Sequence, residues 1–87
     1  DGTILDDPDA QIGQVFANLG AILAAHGMTP ANLVKTTVFL TDSALLGTLR
    51  TKRGAFMQGH TPASTLLIVA GLADPRFKVE VEAEAVA

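Results

Sequence analysis

No cysteine occurs in the 87 residues of the chain. Disulfides, thiolate metal sites and a cysteine nucleophile are thereby excluded. A small secreted domain would ordinarily need such staples, so a reducing cytoplasm is the expected setting. Charge is scarce too: charged residues make up 17% of the chain, where a usual share is about 25%. The six Lys and Arg are scattered and the net charge is −3, so nucleic-acid binding through phosphates has no footprint. No apolar stretch is as long as a membrane span, and no signal peptide is recognisable. His26 and His60 stand near helix ends without an H-E-x-x-H spacing, and no glycine-rich loop follows a strand. No metal and no other cofactor is implied.

What the chain does have is apolar residues, 48% of the total. A single domain of this length hides only about 60–65% of the surface its unfolded form exposes. So few charges on so small a body imply that part of its surface is covered by other subunits.

Asp1-Gly2 is turn chemistry, and Thr3-Ile4-Leu5 reads as the tail of a strand. Asp6-Asp7-Pro8 opens a helix: Asp7 caps the free amides, Pro8 fits the first helical position and Asp9 favours the positive end of the dipole. Ile12, Val15, Phe16, Leu19, Ile22 and Leu23 form one helical stripe, and Gly27 supplies a left-handed stop. Thr29-Pro30 starts a single turn. Residues 34–40 read as a strand, with Val34, Thr36, Val38 and Leu40 on one face and Lys35, Thr37 and Phe39 on the other. Thr41-Asp42-Ser43 opens a second helix, carrying Leu45, Leu49 and Phe56 on one side, weakened by Gly54 and stopped at Gly59.

Residues 64–70 are apolar on both faces from Leu66 onward, the pattern of a central strand covered on both sides. The last strand alternates: Phe77, Val79, Val81 and Ala83 face one way, Lys78, Glu80, Glu82 and Glu84 the other. The order α-β-α-β-β gives a mixed sheet, parallel where a helix joins the first two strands and antiparallel where a short loop joins the last two. Both helices lie on one face, and nothing in the chain covers the other. A three-stranded sheet with a bare face calls for partners: an N-terminal hairpin, other subunits, or both.

Val34-Lys35-Thr36-Thr37-Val38-Phe39-Leu40-Thr41-Asp42 resembles the RidA/YjgF family. Three further pieces fit in order: Gln11, Asn18 and Leu19 like the family's Q-x-N-L segment, Pro62-Ala63 like the start of its P-A-R strand, and Val79-Glu80-Val81-Glu82-Ala83 like its closing V-E-I-E-A. Together they cover the chain from about residue 8 to residue 86, and residues 1–87 are expected to form one RidA-like domain. The resemblance implies the chorismate-mutase-like α+β fold and a homotrimer with sheets inward, helices outward and pockets between neighbouring subunits. It also implies hydrolysis of reactive enamines and imines to a carbonyl compound and ammonia. Family members carry an N-terminal hairpin before the first helix. With only a few residues ahead of Pro8 and Asp1 in place of Met, the chain is expected to be part of a longer subunit.

In the family, a glutamate on the last strand serves the attacking water and an arginine on the preceding strand holds the substrate carboxylate. Glu80 matches the glutamate; on pattern alone it is one of three acids on a polar strand face, of the kind usually just solvated. Ser64 stands where the arginine would be. One uncharged hydroxyl cannot grip a carboxylate with two charge-assisted bonds. Either the substrate lacks that carboxylate, or another cation replaces the arginine, or the site binds a metabolite without chemistry. For Ser64 itself the alternative is a strand-start residue bonding nearby backbone. Arg50, at a position often asparagine in the family, is the replacement candidate, with Arg53 and Lys52 behind it; the plain alternative is a solvated helix charge. The expectation is thus an imine or enamine deaminase with Glu80 as catalytic residue and Ser64 and Arg50 as substrate-binding residues. The rival is a non-catalytic metabolite-binding trimer. Neither involves nucleic acid or membrane.

Overall fold

The computed structural model describes residues 7–87, so the turn read at Asp1-Gly2 and the strand tail read at Thr3-Ile4-Leu5 lie outside the described residues. Helix α1 runs over Pro8–Ala25. Asp7 caps it, accepting from the Asp9 amide at 3.2 Å, and Pro8 costs the helix nothing because its first amides have no intrahelical partner. The far end closes as a Schellman motif. Met28 N–H donates to Leu23 O at 2.8 Å and Gly27 N–H to Ala24 O at 3.0 Å, while Gly27 sits at φ 70°, where a side chain would be strained.

A 3-10 turn at Pro30–Asn32 leads into β1, Leu33–Leu40. Asp42 caps a second 3-10 turn, Ser43–Leu45, by accepting from the Ala44 amide at 2.9 Å, and this turn runs into α2, Leu46–Met57. Strands β2, Ala63–Ile68, and β3, Val79–Ala85, complete the chain. The left-handed stop of α2 comes one residue before the expected glycine. Gln58 already adopts the left-handed conformation, at φ 51°, and Gly59 continues it at φ 88°.

The sheet order is β2-β1-β3, with β1 parallel to β2 and antiparallel to β3. This is the mixed α+β sheet expected, with one correction: among the described residues the apolar strand after Pro62 is an edge, not the centre. The middle position falls to β1, which pairs on both sides, while five of the six residues of β2 are exposed in the single subunit. Apolar composition alone does not fix a strand's place in the sheet. A second correction concerns Val34, which the alternation sets on one face with Thr36, Val38 and Leu40. The register with β3 slips between Leu33 and Lys35, so Leu33 turns inward, 1% exposed, and Val34 is 47% exposed.

Both helices pack on the face of the sheet that carries Thr36, Val38, Leu40 and Val79. Ile12 and Phe16 of α1 and Leu49 of α2 close over Val38, Leu40 and Val79. A second cluster joins Leu23, Leu33 and Met57. Phe16 and Phe56 meet at 5.2 Å between ring centroids, and the helices approach closely at Gly20. No helix among the described residues is long and apolar enough to cross a membrane.

Candidate functional site

Strand pairing fixes where the acids of β3 stand. Glu80, Glu82 and Glu84 lie opposite Phe39, Thr37 and Lys35 on β1, on the face that carries no helix. All three acids are exposed, and Phe39 beside Glu80 is half-buried. Glu80 is therefore an exposed acid paired with Phe39 on a sheet face that bears no helix among the described residues.

Ser64 lies on the other side. It pairs in register with Thr36, which is 1% exposed beneath the helices, and Thr36 Oγ1 donates to Ser64 Oγ at 3.3 Å. From α2, Arg53 Nη1 donates to the same oxygen at 3.2 Å. Between α2 and the start of β2 these residues line a cleft of about 200 Å³ together with Arg50, Gly54 and His60. Ser64 and Arg50 thus line the same cleft. The arginine that touches Ser64, however, is Arg53; Arg50, one turn earlier, is exposed. His60 turns its Nε2 to Leu33 O at 2.7 Å, which ties the segment before β2 to the start of β1.

Glu80 and Ser64 do not share a site within one subunit. Thr36 and Phe39, their respective neighbours on β1, are an odd number of residues apart and point to opposite faces, about 10 Å apart along the strand. Glu80 instead borders a groove of about 300 Å³ between α1 and β3, walled by Leu19, Ile22, Phe77 and Val81. This groove is apolar and open: Ile22 is 59% exposed and Phe77 41%.

The sequence marks Gln11 only as part of the family-like segment; its positioning role emerges from the fold. Gln11, only 7% exposed, uses both ends of its amide across the chain: Nε2 donates to Arg76 O at 2.7 Å, and Oε1 accepts from Lys78 N at 2.8 Å. It pins the run into β3 and so sets where Glu80 begins. The available signal was a glutamine beside Ile12, at the edge of an otherwise apolar helix face. In the same loop Arg76 makes a two-pronged contact with Asp74, at 2.7 and 3.1 Å, and donates its backbone amide at 2.9 Å. The Arg76 side chain, and then its amide, hold the Asp74 carboxyl down to about 2. Among the described residues no three His, Asp or Glu side chains converge as a metal site would require.

Comparison with known proteins gives a consistent answer. Residues 1–87 match the family model described as Endoribonuclease L-PSP. The chain is similar to the 2-iminobutanoate/2-iminopropanoate deaminase of Salmonella typhimurium, with 36% identity over 88 residues, 98% of this chain and 68% of that protein. It is 45% identical over 74 residues to the Mus musculus protein of the same name, covering 84% of this chain and 53% of that one. The chain thus spans between about half and two thirds of the length of these relatives. Its fold is similar to that of a YjgF/YER057c/UK114 family member from Mycobacterium tuberculosis, at TM-score 0.87 and 25% identity, covering 95% of this chain and 70% of the other.

Proposed function

Since the chain belongs to the RidA/YjgF family, we propose that it hydrolyses a small imine or enamine to a carbonyl compound and ammonia, at a pocket between subunits of a cytoplasmic homotrimer. The observation that carries this reading is Glu80, an exposed carboxylate beside Phe39 on the sheet face that no helix covers. Burial of that face against a neighbour would bring Glu80 to a seam. There a second subunit would supply the Ser64 cleft, with Arg50 at its rim.

The chemistry asks little more. An enamine first takes a proton on carbon and becomes the imine. Water then adds across the C=N bond, and the tetrahedral carbinolamine expels ammonia, leaving the carbonyl compound. Glu80 as carboxylate accepts a proton from the attacking water and returns it to the departing nitrogen. The names of the relatives make 2-iminobutanoate and 2-iminopropanoate the first substrates to try. The net charge of −3 and the scattered cations do not favour RNA cleavage, the activity in the family model's description.

The test is ammonia release from freshly generated 2-imino acids. The protein should exceed buffer, and Glu80→Ala should lower the rate by about 10²-fold or more, the usual contribution of a positioned acid–base group. Equal rates with protein and with buffer end this reading. Equal rates accompanied by ligand-raised melting temperature would instead support the metabolite-binding trimer that Ser64 motivates.

A further inference from the structure

The cleft at Ser64 has a charge inventory unlike the rest of the chain. The protein is net negative, yet two guanidinium groups, Arg50 and Arg53, face this cleft and no carboxylate does. Among the described residues neither arginine has an ion-pair partner; the ion pair there is Arg76 with Asp74. Arg53 is half-buried, and its hydrogen bond goes to a neutral hydroxyl. A guanidinium carries five N–H donors, so most of its donor capacity faces an open space.

The oxygen it touches is also constrained. Ser64 Oγ accepts from Arg53 and from Thr36, and Thr36 is locked under the helices. With both lone pairs engaged, the Ser64 hydroxyl hydrogen is left to donate outward. Gly54 follows Arg53 on α2, and a side chain added there would meet nothing within 4 Å, so this rim of the cleft is open. Two sets of donors, one of them fully charged, thus converge on a space of about 200 Å³ with no acceptor of matching charge.

We infer that Arg53 is the carboxylate clamp of this protein: its guanidinium, seated on the Ser64 hydroxyl, holds the carboxylate of a small 2-oxo or 2-imino acid. The arginine that the family resemblance places on the strand is replaced by serine, and the small side chain admits a guanidinium from α2 into the same space. Position 53 rather than 50 carries the specificity, because Arg53 is the one anchored to β2, while Arg50 is an exposed rim charge that steers ligand without gripping it. The inference deepens the deaminase reading and rests on it for the substrate class.

Calorimetric titration with 2-oxobutanoate tests the clamp without requiring turnover. Arg53→Gln, which keeps the stem and loses the charge, should weaken binding by roughly tenfold or more, as should Arg53→Ala. Arg50→Ala should change it less than about threefold. The double variant Arg53→Ala/Ser64→Arg, which moves the guanidinium back to the strand, should bind more tightly than Arg53→Ala alone. The inference is overturned if wild-type protein does not bind 2-oxobutanoate, if Arg53→Gln binds as wild type does, or if Arg50→Ala loses as much as Arg53→Gln. Arg53-dependent binding without ammonia release would leave the clamp standing and remove the deaminase reading alone.

Discussion

Asp74 shows how much one neighbour can do on a surface loop. Its carboxyl receives the Arg76 guanidinium on both oxygens and the Arg76 amide on one. These bonds favour the charged form and bring the pKa from 3.8 to about 2. A carboxyl depressed in the folded state contributes its stability above its unfolded value and loses it as pH falls through the folded one. The turn before β3 should therefore be held in full above the unfolded value of 3.8 and released as the pH approaches about 2. Following the Asp74 side-chain carbon by NMR through an acid titration checks this. In Arg76→Ala the midpoint should climb back toward 3.8.

At the scale of elements, the packing of α1 on α2 depends on a missing side chain. A Cβ on Gly20 would stand 3.3 Å from Cε1 of Phe56, tighter than ordinary contact, and Phe56 is itself held against Phe16. Alanine there gains helix propensity and meets this contact, two opposing effects of similar size. Leucine gains the same propensity but must move the ring. Gly20→Leu should cost about 1–3 kcal/mol, read from the midpoint of urea unfolding.

The elements also show which features can be read before a structure exists. Asp7, Pro8 and Gly27 mark the ends of α1 because capping is decided within a few residues of the chain. The parallel pairing of β1 with β2 follows from the helix between them. Strand order does not follow from pattern: β2 is apolar enough for a centre, yet pairing leaves it at the edge, with Leu67 44% and Ile68 51% exposed in the single subunit. The slip at Leu33 is equally silent, since one extra residue in a strand leaves composition unchanged. At the candidate site, the family pattern singles out Glu80 and Ser64, and only strand pairing places them on opposite faces. The contact of Arg53 with Ser64 is not legible in the sequence, because it joins residues 11 apart through the rotation of α2 and a side-chain rotamer.

Among the described residues, the helix-free sheet face and the outer side of β2 stand open in a lone copy. If three copies close over them, light scattering in dilute solution should give three times the 9.0 kDa subunit mass. The placement of Glu80 and Ser64 on opposite faces adds a sharper test. Assayed well below saturation, Glu80→Ala and Arg53→Ala proteins should each be strongly impaired as pure trimers. Unfolded together in equal amounts and refolded, they should regain roughly a quarter of wild-type activity, because about one seam in four then receives an intact face from each side. No recovery in refolded mixed trimers would place both groups in one subunit.

Helix α2 makes the crossover that lets β2 lie parallel to β1, and the same helix carries Arg53 to Ser64. Whatever anion settles there bridges the connecting segment to the strand it delivers. Occupancy and integrity of this half of the molecule are then thermodynamically linked: unfolding must first release the guest, and each tenfold rise in its free concentration above saturation adds about 1.4 kcal/mol against melting. Any ligand held there would in this way also act as a fastener for the protein that binds it.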